Sequence, residues 1–338
     1  MIRKSLLCGA GAAFLLVGCG RMDRETEFRA ALPSKELVET KTPAKAGQGL
    51  EADVHAQGGQ GQVSDLYQLT RGASVFVNGG TVFVLGLVEA VTKHRPTSVT
   101  ENTAVWGPHT DALDPNTWKL TVTKTGEGTY SYVLEAKGKN EADSAFKAIL
   151  TGKHTARRDV GGEPVEGFGA GDFTLDWDAE QLLPKHGDKV GKLTVRYSRP
   201  DETSGATVEA DFRQVKDDES GQRVDADYRY KSIPGTGGEF QFGLSKDWYQ
   251  PSNTASAAER LTIKSRWQQT GAGRSDVKMT GGDLVGEATA NECWDLNFAS
   301  QYLRASYDPR VGYGTEASNC AFIGAEYSSL SLSGLVSR

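Results

Sequence analysis

Histidine and cysteine are scarce, with five and four residues in a chain of 338. The histidines, His55, His94, His109, His154 and His186, lie far apart, and none stands at metal-ligand spacing from another. Each reads as a surface or capping residue, so no metal and no cofactor is expected. No Gly-x-Ser-x-Gly stretch occurs, so hydrolases of that type have no nucleophile here. No basic block occurs either, and the formal net charge is −6. That balance argues against nucleic acid as a partner.

What is present begins at the N-terminus. Arg3 and Lys4 precede an uncharged stretch from Ser5 to Gly18, rich in Leu, Ala and Gly. The stretch is short for a membrane-spanning helix and suits a signal peptide. Leu16-Val17-Gly18-Cys19 resembles a bacterial lipobox. The resemblance implies cleavage after residue 18 and acylation of Cys19. One acyl chain binds membrane only marginally, so several chains on one cysteine make a stable anchor. Gly20 follows where an Asp would retain a lipoprotein in the inner membrane. The implied location is therefore the outer membrane, with the domain facing the periplasm or the cell surface.

Cys8 would leave with the leader and Cys19 would be acylated, which leaves Cys293 and Cys320. In an exported chain such a pair is expected to form a disulfide. Residues 19–62 read as a tether. "RMDRETEFRAAL" suits a short exposed helix, and the Gly-, Gln- and Ala-rich residues 44–62 suit a flexible linker. Residues 63–338 read as a single β-rich domain.

The least polar segment of the mature chain is residues 63–95. Leu66, Leu69, Ala73, Phe76, Gly80, Val84, Leu87 and Val91 recur at helical steps. Ser64 suits an N-cap, and Pro96 follows Lys93, His94 and Arg95 as a stop. Asn78-Gly79-Gly80 would alternatively turn a hairpin. A transmembrane span is the third reading, but the uncharged run Gly72 to Val88 is short and interrupted. The periodicity favours a buried helix at about 64–94, with Gly72, Gly79, Gly80 and Gly86 permitting close approach of other backbone.

From Trp118 onward the pattern has a period of two. "WKLTVTKTGEGTYSYVLEAKG" forms the clearest hairpin. The rhythm recurs in "DFTLDWD", "KLTVRYS", "ATVEADFRQ", "DADYRY", "EFQFGL", "RLTIKSRW", "SDVKMT" and "CWDLNF". The Gly-rich "GFGAGDF" (167–173) reads as a loop, since it lacks the third glycine and the helix of a dinucleotide site. Short turns between strands force antiparallel neighbours. The expected fold is mainly β: one long meander, curved into a partial or closed barrel around one apolar helix.

This outline resembles the lipoprotein-localisation factors and related lipid-carrying envelope lipoproteins, in architecture only. "ECWDLNF" with "SNCAF" resembles the C-terminal end of uncharacterised bacterial lipoproteins. The first resemblance implies an apolar or amphipathic ligand between helix and sheet. Its candidate lining is Phe76, Val84, Leu87, Tyr228, Tyr230, Phe240, Phe242 and Trp267. The alternative for these aromatic residues is a filled core.

Ser144-Ala-Phe-Lys147 and Lys124-Thr125-Gly126 match motifs of penicillin-binding enzymes, but in the wrong order. Asp176 with Asp178, and Asp225 with Asp227, place paired carboxylates on polar strand faces. Such pairs can hydrolyse glycosides, although solvated surface explains them as well. The functional expectation is thus a non-enzymatic lipoprotein that binds an apolar or amphipathic ligand. A structural or assembly lipoprotein with a protein partner is the alternative, and a glycan-acting hydrolase comes third.

Overall fold

Alternating strands joined by short turns have no partners but their neighbours in sequence. The computed structural model, which describes residues 19–44, 59–162, 164–217, 221–247 and 258–330, has that topology. Fifteen antiparallel strands pair in strict sequence order in one sheet. They are β1 (Ser98–Val99), β2 (Thr103–His109), β3 (Asn116–Gly126), β4 (Thr129–Gly138), β5 (Lys147–Arg158), β6 (Pro164–Asp176), β7 (Lys192–Arg199) and β8 (Thr207–Lys216). There follow β9 (Arg223–Ile233), β10 (Gly237–Lys246), β11 (Glu259–Gln268), β12 (Gly273–Gly281), β13 (Glu287–Trp294), β14 (Ser300–Ala305) and β15 (Gly312–Tyr313). The sheet is open, and its outermost strands, β1 and β15, are two residues each, which leaves little edge for another chain to pair with.

The helix of the apolar segment, α3 (Asp65–Thr92), follows α1 (Cys19–Ala30) and the single turn α2 (Lys35–Val38). α3 touches β2 and β3 as well as β11 and β12, so the sheet curves round it as a trough. Inward residues such as Leu120, Tyr132, Leu134, Phe173, Leu193, Val195, Phe212 and Phe240 are buried with Val77, Val84 and Val88 of the helix.

Three expectations are corrected. The first concerns the tether. Residues 45–58, including His55, lie outside the described residues, but the segment before them is docked. Phe28, Ala31, Leu32, Leu37 and Val38 are buried. Phe28 meets the edge of Tyr130, and Glu27 Oε1 accepts from Tyr130 Oη (2.6 Å) and Lys124 Nζ (2.8 Å). Thr40 and Asn78 of α3 bond reciprocally, N–H to Oδ1 at 2.9 Å and Nδ2 to O at 3.0 Å. The sequence signal for this docking is the apolar stripe within "EFRAALPSKELV", which is set among charged residues.

The second concerns the face of α3. Tyr67, Thr70, Ser74, Val77, Thr81, Val84 and Val88 form the inward stripe, about one residue round from the expected one. Val84 is on it, whereas Phe76 is 48% exposed. The inward stripe is polar in part because the sheet supplies partners: Thr70 Oγ1 lies 2.6 Å from Ser265 Oγ. The side chain of Leu87 lies outside the described residues.

The third concerns strand limits. "GFGAGDF" lies within β6 and not in a loop. A Cβ on Gly169 would stand 2.7 Å from the His154 ring, and one on Gly152 would stand 2.4 Å from Tyr132. These glycines make room for rings that cross the neighbouring strands. "CWDLNF" leaves the sheet at Trp294, because Asp295 Oδ1 accepts from the N–H groups of Asn297 and Ala299. Phe298, at φ +63°, then stacks on Tyr67 at 4.3 Å.

Opposite charges hold the two ends of α3. At its N-terminus Ser64 Oγ accepts from Tyr67 N (3.1 Å), and the buried Glu292 accepts from Leu66 N (2.8 Å). At its C-terminus Arg29 of α1 donates to the carbonyls of Thr92 and of His94, the latter at 2.7 Å. Orphan groups at helix ends need such partners, and the charges complement the helix dipole.

The expected disulfide joins Cys293 of β13 to Cys320, with α5 (Glu316–Asn319) just before it. Under residues 316–326, on the outer face of β11 and β12, lies a buried charge network. Arg274 bonds Asp276 (2.7 Å) and Glu316, and Arg266 bonds Glu326 (2.6 Å). Closing a loop of 27 residues stabilises the fold by about 3–4 kcal/mol in the chain-entropy model.

Two outcomes test this packing. Arg29→Gln should cost about 1–3 kcal/mol in urea unfolding, since a charged hydrogen bond and a helix-end charge are lost together. Burial raises the pKa of Glu27, but Lys124, Tyr130 and Arg158 outweigh it and hold the carboxyl below its ordinary value. The stability from those pairs is therefore complete above the unfolded carboxylate range and is lost as pH falls through the lowered folded value. Melting temperatures of the Glu27→Gln variant should depend less on pH than wild type below about pH 4.3.

Candidate functional site

Where α3 turns its outer face away from the sheet, the core is incomplete. Val75, Phe76 and Gly79 of α3 face Phe212 and Val215 of β8 across a cavity of about 270 Å³. Trp177, the first residue of the short α4 (Trp177–Glu180), lines its side, and Lys189 and Lys216 stand at its exposed rim. The rings of Phe76 and Phe212 are 4.8 Å apart.

The local sequence builds this slot from turn chemistry. Asp176 caps α4 by accepting from Ala179 N (3.0 Å) and pairs with Lys192 at 2.7 Å. Asp178 Oδ1 accepts from Gly191 N at 2.9 Å. Together they fold residues 177–191 back over the end of β6 and present Trp177 to the helix. Asp225 accepts from Gln214 N, and Asp227 pairs with Arg213. The paired carboxylates that raised the hydrolase reading are thus engaged as turn and strand partners.

Of the candidate lining residues, Phe76 lies in this slot. Tyr228, Tyr230, Phe240, Trp267 and Val84 are core residues, Phe242 packs against them half-buried, and none lines any of the three cavities described here. Their aromatic density is explained by edge and stacked contacts, such as Tyr228 with Phe240 at 4.7 Å.

Sequence spacing missed a second convergence. His94, His109 and His186 line one cleft of about 480 Å³ at the C-terminal end of α3, with Trp118 and Glu180. The rings of His94 and His109 are 5.3 Å apart, and His109 Nε2 is 3.0 Å from Asp111 Oδ1. Burial pushes the Glu180 carboxyl above its ordinary value. Among the described residues no three His, Cys, Asp or Glu side chains are grouped to hold a metal ion. A third cavity, about 570 Å³, lies between α1, α2 and the β5–β6 pair. His154 lines it, hydrogen-bonded to Tyr197 (3.0 Å), and burial pulls its pKa down to about 4.

Compared with protein-family models, curated proteins and solved structures, the chain matches none.

The glycines of α3 separate wall from opening. A Cβ on Gly80 would meet Leu193 at 3.0 Å, whereas a Cβ on Gly79 would meet nothing within 4 Å. Gly80→Val should therefore lower the melting temperature by crowding Leu193 and Phe212. Gly79→Ala should raise stability by up to about 1 kcal/mol through helix propensity. Equal effects at both positions would contradict this placement of the helix.

Proposed function

We propose that this chain is a lipid-anchored protein of the bacterial envelope that binds an apolar or amphipathic ligand beside α3, without converting it chemically. One observation carries the reading: Phe76, on a helix otherwise docked in the trough, is half exposed at the mouth of an apolar slot. An exposed large apolar residue beside a preformed apolar cavity is the usual arrangement of a small-molecule site. At about 270 Å³ the slot is at the small end of the range for such sites, roughly 300–1,000 Å³, and suits a single aliphatic chain or ring.

The anchor is the acylated Cys19, and the outer membrane is its proposed location, since Gly20 follows the cysteine. α3 has the length and apolarity to cross a membrane. Its contacts on both sides of the trough, and the charges at both its ends, support a place in the fold instead. Cys19 begins the same helix, α1, that docks through Glu27 and Phe28. The anchor therefore holds the domain close to the membrane surface.

Two measurements test the proposal. Cys19→Ala should move the protein from the detergent phase to the aqueous phase in phase partitioning; retention in the detergent phase would contradict the anchor. A soluble form lacking residues 1–19 should bind N-phenylnaphthylamine saturably, and Phe76→Asp should weaken that binding at least tenfold. Absence of saturable binding by the wild-type domain would overturn the ligand reading.

A further inference from the structure

The slot beside α3 is not uniformly apolar, and its polar groups are unmatched. Trp177 is 3% exposed and lines the slot, yet its Nε1–H has no acceptor among the described residues. A buried donor without a partner carries the full cost of its desolvation, so native structures rarely keep one unless something else satisfies it. At the rim, Lys189 and Lys216 are exposed and form no ion pair among the described residues; Asp188 is the one acid among the described lining residues, and the neighbouring Asp217 is paired with Lys246 at 2.6 Å.

Resting on the ligand reading above, we infer that the slot takes an aliphatic carboxylate: one hydrocarbon chain against Phe76, Phe212 and Val215, with its carboxylate accepting from Trp177 Nε1 and facing Lys189 and Lys216. Each part of that ligand answers a separate feature. The apolar walls select the chain. The orphan indole N–H requires an acceptor, and a carboxylate is a stronger one than a hydroxyl. The two ammonium groups in the lining, neither paired among the described residues, favour an anion there. Two ligand classes fit less well. A neutral hydrocarbon leaves Nε1 unsatisfied, and a two-chain phospholipid exceeds the volume.

The test compares decanoate with 1-decanol, both displacing N-phenylnaphthylamine from the soluble domain, in wild type and in Trp177→Phe. The phenyl ring keeps most of the packing and removes the donor. Wild type should bind decanoate at least tenfold more tightly than decanol, and Trp177→Phe should abolish most of that preference while decanol affinity changes less than twofold. Equal affinities for decanoate and decanol in wild type would overturn the carboxylate inference and leave the apolar-ligand reading standing. Displacement by neither compound would overturn both. Should Trp177→Phe fail to fold, the rim variant Lys189→Gln with Lys216→Gln decides: a several-fold loss of the preference for decanoate supports the inference, and an unchanged preference overturns it.

Discussion

A sheet made only of hairpins has one apolar face and no crossover helix to cover it. That constraint governs this molecule. With fifteen strands paired in sequence order, the apolar face is too large to leave in water. The sheet curls, and the chain N-terminal to it supplies the filling. α3 enters the trough, and α1, α2 and residues 39–43 close part of what α3 leaves open. Every later feature, from the docked N-terminal segment to the slot, follows from how completely that filling is achieved.

The helix fills the trough by being matched at its ends as well as along its side. Glu292, from the far end of the sheet, meets its N-terminal amides, and Arg29, from the segment next to the proposed anchor, meets its C-terminal carbonyls. Because those contacts bind the position and direction of the helix, its inward stripe can carry threonine hydroxyls, answered from the sheet or from its own backbone, as Thr70 is by Ser265, Thr81 by the carbonyl of Asn78 and Thr92 by that of Val88. The apolar residues not required inside are then left at the opening. Phe76 is where the apolar composition of the helix exceeds what the trough can bury.

Much of this was legible in the sequence. Period-two alternation identified β3, β4 and β7 to β12 because each turns an apolar face to the core and a polar one outward, to water or, in β11 and β12, to the charge network under residues 316–326. The N-cap at Ser64 and the pairing of Cys293 with Cys320 were legible from local chemistry and from cysteine count. The orientation of α3 was not, since hydropathy cannot anticipate that polar residues such as Thr70 find hydroxyl partners inside. Nor was β5, where the inward positions Gly152 and His154 interrupt the apolar face, nor the glycines of β6, whose role depends on rings from adjacent strands. The convergence of His94, His109 and His186, and the slot lined by Phe76, Trp177 and Phe212, unite residues more than ninety positions apart that only tertiary packing brings together.

The central claim is that α3 is an integral part of the core with one face left open. Native-state hydrogen exchange on the soluble domain tests it most directly. The amides of Val77, Val84 and Val88 should exchange only through global unfolding, at the rate set by the same denaturant dependence as the central strands β4 and β7. Exchange of those helical amides by a separate, low-energy opening while the strands stay protected would show that α3 undocks from the sheet, and would contradict the account.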